Sequence, residues 1–93
     1  MDNRDGIGYF GVSRAGHDCN EIYVIINNDS EYVYLADGKS KTVDKPKKKK
    51  KKHVQIIIHI DQAIKTKLSQ NKLLINEDIK RAIKLYKNNF KLN

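Results

Sequence analysis

A β-hairpin is indicated by residues 21–38, EIYVIINNDSEYVYLADG. Both halves are rich in β-branched and aromatic residues, which fit the pleated surface of a sheet. The polar cluster NDSE at 28–31 separates the halves and predicts the turn. Asp37 and Gly38 predict a second tight turn, because glycine accepts the positive φ that such turns require. The stretch therefore predicts a chain built mainly of short strands joined by tight turns.

Three further short strands are predicted around this hairpin. GYFGVS at 8–13 precedes it, and KSKTV at 39–43 follows it. The last is HVQIIIHI at 53–60, whose alternation predicts one apolar face made of Val54, Ile56, Ile58 and Ile60. Five short strands in about 55 residues predict a small β-barrel or a strongly bent sheet.

The end of the chain changes to a helical period. Asp61 is predicted to cap a short helix, DQAIKTKLSQ, at 61–70. Asn76 is predicted to cap a second helix, whose first turn carries Glu77 and Asp78. The apolar residues of this helix recur at helical spacing: Ile79, Ala82, Ile83, Tyr86 and Phe90. Such a face must be buried, so we expect the helices to pack on the sheet.

The length of 93 residues is enough for one domain with a modest core. We expect a mainly β fold, with a barrel over residues 1–60 that includes a lysine-rich loop at 45–53. An α-helical extension over 61–93 is expected to pack on the barrel. No apolar run approaches the roughly 18 residues needed to cross a bilayer, and the N-terminus has no apolar signal-peptide core. We therefore expect a cytoplasmic protein that does not bind membranes and is monomeric when free.

Positive charge is concentrated in the second part of the chain. Residues 1–38 hold two basic residues against seven acidic ones, whereas residues 39–93 hold seventeen against four. The densest stretch is KPKKKKKKH at 45–53, with seven lysines in nine positions. Each lysine near a phosphate releases a condensed counterion, so this run predicts contact with a nucleic-acid backbone. Pro46 favours an extended form, because its ring biases Lys45 away from the helical region.

Other interpretations of the charge remain open. The run can be a solvated connector, a nuclear localisation signal, or a result of compositional drift, since lysine, isoleucine and asparagine all have AT-rich codons and are abundant here. Two further functions also remain. One is a protein-interaction module acting in transcription or translation, and the other is a general binder of polyanions or membrane surfaces.

The sequence resembles a KOW motif, the strand, glycine loop and strand of ribosomal proteins and transcription elongation factors, in GYFGVSRAGHDCNEIYVIIN at 8–27. It is also similar to bacterial KOW-domain RNA-binding proteins in YVYLADGKSKTVDKPKKKKKKH at 32–53. These proteins are themselves similar to archaeal and eukaryotic large-subunit ribosomal KOW proteins. INEDIKRAIKLY at 75–86 resembles the closing helix of the bacterial members. The resemblance implies an SH3-like barrel that binds structured RNA, with large-subunit rRNA and the ribosome as partners.

The resemblance also implies which residues face the RNA. In the loop after the first strand they are Arg14, Ala15, Gly16, His17 and Asp18. In and after the turn that follows the third strand they are Asp37, Gly38, Lys39 and Lys41. In the lysine-rich segment they are Lys45, Lys47, Lys48, Lys49, Lys50, Lys51, Lys52 and His53.

The glycine loop departs from the family pattern. Bacterial members tend to have a basic residue and then glycine where this chain has Cys19 and Asn20, and a basic residue where it has His17. Asparagine tolerates a left-handed backbone better than most residues, so we expect the loop shape to survive with reduced positive charge. Most of the affinity is then expected from the lysines, while Arg14 grips a phosphate or a base edge with its planar fork.

Catalysis and metal binding find no support in the sequence. His17 and Cys19 lie two residues apart without a second pair of ligands, so they make a poor metal site. The single cysteine also excludes an internal disulfide framework. Glu77 and Asp78 are explained by their place in a first helical turn, and no nucleophile is paired with an oriented base. We therefore expect a protein that is not an enzyme and needs no cofactor.

Overall fold

The computed structural model describes residues 6–17 and 19–89. Within them, a five-stranded sheet is followed by two helices. The strands are β1 (Tyr9–Ser13), β2 (Ile22–Asn28), β3 (Tyr32–Ala36), β4 (Lys47–Lys50) and β5 (Val54–Ile60). The helices are α1 (Gln62–Ser69) and α2 (Asn76–Asn89). The expected mainly β fold with a C-terminal helical extension is confirmed.

The sheet has the strand order β4-β3-β2-β1-β5, with antiparallel neighbours throughout. A 3₁₀ turn at Lys51–His53 joins β4 to β5, so three residues link the two edge strands. In a flat sheet, four strand spacings would separate these edges by about 19 Å. The link reaches at most about 14 Å even when fully extended. The sheet is therefore strongly bent.

The predicted strand at 39–43 is wrong. These residues form a loop with one isolated bridge, because the Asp37 carboxylate accepts hydrogen bonds from the backbone N–H groups of Lys39 at 2.8 Å and Lys41 at 2.9 Å. Such side-chain hydrogen bonding stabilises a turn in competition with strand pairing. The fourth strand lies instead in the lysine-rich segment at 45–53, which was expected to be a loop. Its extended backbone pairs with β3.

Apolar residues fill both faces of the sheet. The helix-side cluster contains residues of the strands and of both helices: Phe10, Val24, Ala36, Ile64, Ile79, Ala82 and Ile83. The opposite cluster contains strand residues: Tyr23, Ile25, Val33, Leu35 and Val54. Tyr86 packs against the helix-side cluster, as the periodicity of α2 predicts, and Phe90 lies outside the described residues. Neighbouring residues of β2 therefore enter different clusters.

The predicted apolar face of β5 is wrong. Ile56 is 42% exposed and Ile58 is 81% exposed, whereas Ile57 packs against the helix-side cluster. The pairing of β1 with β5 shifts register between Tyr9 and Phe10. This irregularity interrupts the regular pairing of β5, so Ile57 and Ile60 both pack against the helix-side cluster while Val54 lies in the opposite one.

The first helix begins as predicted. Asp61 caps α1, because its Oδ2 accepts a hydrogen bond from the Ile64 N–H at 3.1 Å. Ile64 is fully buried in the helix-side cluster, and Leu68, one turn later, packs against the same cluster. This short helix is therefore fixed at its N-terminus by a hydrogen bond and along one face by burial.

The predicted cap of the second helix is wrong. Asn76 lies within α2, and its Oδ1 accepts a hydrogen bond from the Val43 N–H at 2.9 Å. At the start of the helix, the Ile75 N–H finds its hydrogen-bond acceptor in Asp78 Oδ2, at 3.0 Å. An acidic residue that reaches back in this way serves as half of a capping box. Asn76 is thereby available to hold the loop after β3 against the helix.

Asp78 also joins the two helices. The Lys67 Nζ lies 2.6 Å from Asp78 Oδ2, and the Asp78 side chain is only 8% exposed. Burial alone raises the pKa of the Asp78 carboxyl, but the Lys67 ammonium, the Ile75 N–H and the Arg81 guanidinium together hold its pKa below the ordinary value of 3.8. A carboxyl whose pKa is lower in the folded state stabilises the fold above its unfolded pKa, and this contribution is lost as pH falls through the folded pKa.

We expect Asp78→Asn to lower the free energy of unfolding at pH 7 by about 1 to 3 kcal/mol, because the charged hydrogen bonds are lost. Glu77→Gln removes an exposed charge from the same helical turn and is the matched control, with an expected loss below about 1 kcal/mol. Urea unfolding measures both. The difference between Asp78→Asn and the native chain should shrink below the folded pKa, and equal losses for the two variants at pH 7 would contradict this role of Asp78.

Candidate nucleic-acid interface

The lysine strand β4 forms one edge of the sheet and pairs with β3. Its residues stand opposite Leu35, Tyr34, Val33 and Tyr32, in that order. Residues directly opposite each other in an antiparallel pair project to the same face. The four lysines therefore divide into two pairs, one on each face of the sheet.

One pair lies on the face that carries two tyrosines. Lys48 and Lys50 stand opposite Tyr34 and Tyr32, and both lysines are exposed. The Lys48 Nζ lies 4.3 Å from the centre of the Tyr32 ring, within the range of a cation–π interaction. The Tyr34 hydroxyl donates a hydrogen bond to Asp29 at 3.2 Å. This face therefore presents two exposed lysines beside partly exposed tyrosines, with the Lys48 ammonium above the Tyr32 ring.

The other pair lies on the face of the opposite cluster. Lys47 and Lys49 stand opposite Leu35 and Val33, and both lysines are half-buried. Long lysine stems cover apolar surface while their ammonium groups reach polar partners. The Lys49 Nζ donates a hydrogen bond to the Ala15 carbonyl oxygen at 2.7 Å. The lysine strand is thereby joined to the loop between β1 and β2.

The loop between β1 and β2 is the glycine loop of the sequence analysis. Gly16 has a φ of +86° and Asn20 has a φ of +73°, so asparagine sustains the left-handed backbone expected of it here. The Cys19 N–H donates a hydrogen bond to the Gly16 carbonyl oxygen at 3.2 Å. His17 is exposed in this loop, and Asp18 lies outside the described residues.

Arg14 connects this loop to the strand beyond the lysines. Its backbone N–H donates a hydrogen bond to the His53 carbonyl oxygen at 2.8 Å. Its exposed guanidinium donates hydrogen bonds to the side-chain oxygens of Gln55 and, at 3.1 Å, Asn20. The orientation of Arg14 is therefore fixed by the protein. The glycine loop, β4 and the 3₁₀ turn consequently form one continuous region, which we call the basic surface.

The turn at 37–41 lies outside the basic surface, against the start of α2. Gly38 is buried with a φ of +80°, and a Cβ on it would lie 2.6 Å from the Asn76 carbonyl oxygen. Burial raises the pKa of the Asp37 carboxyl, but its hydrogen bonds to the Lys41 and Lys39 N–H groups and the Ser40 hydroxyl hold the pKa below its ordinary value. Within the described residues, no hydrogen bond joins this turn to the glycine loop. Asp37 and Gly38 therefore shape the turn and seat it on α2.

The remaining lysines of the sequence analysis are distributed around these elements. Lys39 and Lys45 are exposed and Lys41 is half-buried in the segment before β4. In the 3₁₀ turn, Lys52 is exposed and Lys51 is half-buried, with its N–H donating to the Glu31 carbonyl oxygen at 3.0 Å. Lys39 belongs with the turn on α2, whereas Lys51 and Lys52 belong to the basic surface.

A second set of lysines was missed by the sequence analysis. Lys80, Lys84 and Lys87 on α2 line a groove together with Lys39. Their spacing of four and then three residues places them on one side of the helix, which is a signal that the sequence contains. Exposed lysines also form the polar face of many amphipathic helices, so this spacing alone does not indicate a groove. The groove is recognised only in the folded structure, where the turn at Asp37 and the start of β2 lie opposite the helix.

No protein-family model matches the chain, and no curated protein matches its sequence significantly. Across residues 6–17 and 19–89, no group of three or more histidine, cysteine, aspartate or glutamate side chains is arranged to hold a metal ion. Neither described helix has the length and apolar character of a membrane span.

We expect Lys49→Met to loosen the glycine loop, because methionine keeps an apolar stem but cannot donate to the Ala15 carbonyl oxygen. Amides at 14–17, 19 and 20 should exchange with solvent faster, and the free energy of unfolding should fall by about 1 kcal/mol. Lys50→Met is the matched control, since it removes the same charge from the adjacent, exposed position. Hydrogen exchange followed by mass spectrometry measures the effect, and equal loop exchange in both variants would disprove the connection.

Proposed function

We propose that this protein binds structured RNA through the basic surface, with large-subunit rRNA as the target. The observation that carries the proposal is the hydrogen bond from Lys49 Nζ to the Ala15 carbonyl oxygen, at 2.7 Å. This bond joins the densest run of positive charge to the glycine loop. Phosphate contacts position a protein on RNA, whereas shape and base edges provide discrimination. A surface with both a shaped loop and a row of lysines at 47–52, which we call the lysine row, supplies both kinds of contact.

The charge of the lysine row supports a polyanionic partner. Alternate residues of a strand lie about 6.6 Å apart, so two ammonium groups at this spacing repel each other by about 0.6 kcal/mol in water. Lys48 and Lys50 are such a pair, and among the described residues neither of them, nor Lys52 of the 3₁₀ turn, takes part in an ion pair. A phosphate backbone places negative charge along such a row and releases its own counterions. Binding therefore removes repulsion while it forms attraction.

We also infer that the bent sheet closes as the SH3-like barrel of a KOW domain. Five consecutive antiparallel strands, with the two edges joined through a 3₁₀ turn, support this inference. The KOW assignment is further supported by the sequence resemblance at 8–27 and 32–53. In such a domain the glycine loop and the lysine strand would meet at one end of the barrel, which is consistent with the Lys49 contact.

Lysines at a sheet edge also have a structural use, because their charge prevents one edge from pairing with another. This use and RNA binding predict different behaviour. Edge protection requires only that the side chains be charged, whereas phosphate neutralisation makes affinity depend on salt concentration in proportion to the number of contacts. The salt dependence of binding therefore separates the two.

We expect the double variant Lys50→Ser and Lys52→Ser to flatten the plot of log affinity against log salt by about 1.4 to 1.8, at roughly 0.7 to 0.9 per lost phosphate contact. The matched control is Lys65→Ser and Lys72→Ser, which removes two exposed lysines from α1 and the segment after it. Fluorescence anisotropy with a structured rRNA fragment over a range of salt concentrations measures the slope. If neither double variant changes the salt slope, Lys50 and Lys52 do not neutralise phosphates, and the role that remains for lysines of this segment is to protect the sheet edge.

The identity of the RNA is tested by sedimentation. The tagged native chain should move with the large ribosomal subunit in a sucrose gradient at moderate salt, and the Lys50 and Lys52 double variant should move there less. Association that persists after nuclease treatment would instead indicate a protein partner. Equal affinity for heparin, anionic vesicles and structured RNA would indicate a general polyanion binder. Either result would contradict the proposed target.

We expect Arg14→Ala to lower the affinity for the cognate RNA by about 1 to 3 kcal/mol, because charged hydrogen bonds are lost, and to change binding to unrelated duplex RNA far less. Gln55→Ala is the control, since it removes an internal partner of the guanidinium and leaves its charge in place. Titrations of both RNAs at the same salt measure the effect. If the two variants lose affinity equally, Arg14 only maintains the loop.

A further inference from the structure

A groove of about 580 Å³ lies outside the basic surface, between α2, the start of β2 and the turn at Asp37. Its apolar lining is formed by Ile22, Tyr23 and Ile83. Ile83 belongs to the helix-side cluster and the half-buried Ile22 packs against it, so these two side chains form the apolar base of the groove, whereas the Tyr23 side chain packs on the other face of the sheet. A groove of this volume lies within the usual range for pockets that hold small ligands, about 300 to 1,000 Å³.

The rim of the groove is cationic. Four lysines line it: Lys39, Lys80, Lys84 and Lys87. Lys80 pairs with Glu77 at 3.2 Å, whereas the other three take part in no ion pair among the described residues. Ammonium groups above an apolar base suit a ligand that joins a flat ring to an anionic group.

The two carboxylates of the lining differ in what they are bonded to. The Asp37 carboxylate is occupied by the N–H groups of Lys39 and Lys41 and by the Ser40 hydroxyl. The exposed Glu21 side chain makes no hydrogen bond within the described part of the chain, so its oxygens are available to accept one. A carboxylate in this state selects a ligand that donates N–H groups, such as a base with an exocyclic amino group.

We propose that this groove binds one unpaired nucleotide of the RNA, and the proposal rests on the proposed function. The base lies on Ile22 and Ile83, its amino group donates to Glu21, and its phosphate is held by Lys84 and Lys87. Unpaired bases are recognised by proteins through stacking and through hydrogen bonds to their edges. An extended acidic peptide fits less well, because Glu21 repels carboxylates and the apolar base would remain unused.

The test is titration of the full chain with cytidine monophosphate, uridine monophosphate and inorganic phosphate, followed by NMR of the backbone amides. Cytidine monophosphate should shift the amides of Ile22, Tyr23, Lys84 and Lys87, and should bind at least about threefold more tightly than uridine monophosphate, which offers Glu21 no amino group. Lys84→Gln with Lys87→Gln should weaken its binding by about fivefold or more, since two charged contacts are lost. Lys65→Gln with Lys72→Gln is the control of equal charge.

Three outcomes would overturn the proposal. If inorganic phosphate shifts the same amides as strongly as the nucleotide, the groove attracts anions and does not hold a base. If Glu21→Ala leaves the preference for cytidine monophosphate intact, Glu21 does not read the base. If the groove binds free nucleotides but the Lys84 and Lys87 variant binds single-stranded and structured RNA with native affinity, the ligand is a free nucleotide. None of these results alters the salt slope of the Lys50 and Lys52 variant, so failure here is distinguishable from failure of the proposed function.

Discussion

The three-residue link between the edge strands is the constraint on which the rest of the structure depends. Since Lys51–His53 is too short to cross a flat five-stranded sheet, the end of β4 and the start of β5 must approach each other. Arg14 at the end of β1 then donates to His53 at the end of the link, and Lys49 reaches Ala15. The bend thereby brings together two segments that lie more than thirty residues apart in the sequence, and the proposed RNA surface exists only because of it.

The helices fix the other side of the sheet. Ile64 and Ile79 enter the same cluster as Phe10 and Val24, so the sheet and the helices share a core. Asp78 satisfies the start of α2 and pairs with Lys67 of α1. Gly38 allows the turn after β3 to pack closely against α2, because only a residue without a Cβ fits against the Asn76 carbonyl oxygen. The cationic groove is a result of this docking, since its lysines come from both the helix and the turn that meets it.

Local patterns in the sequence predicted the elements that depend on local chemistry. The hairpin of β2 and β3, the cap of α1 by Asp61 and the buried face of α2 are all confirmed, because alternation, capping and helical spacing act within a few residues. The fourth strand was misplaced, since pairing with β3 requires an extended backbone more than apolar side chains. The face of β5 was wrong because the register shift at Tyr9 and Phe10 leaves no mark in the sequence of β5. The groove required a tertiary contact between segments that no local pattern relates.

The position of the first four lysines of the lysine row within a strand has a thermodynamic consequence. The backbone of Lys47–Lys50 is part of the sheet, so the same four residues carry both a portion of the fold and a portion of the proposed binding surface. Any ligand that binds only when β4 is paired adds its binding free energy to the free energy of that pairing. Opening of this edge and release of the RNA then become one linked equilibrium. An RNA held along β4 would accordingly make this edge of the sheet more resistant to opening, because the edge could open only after the RNA was released.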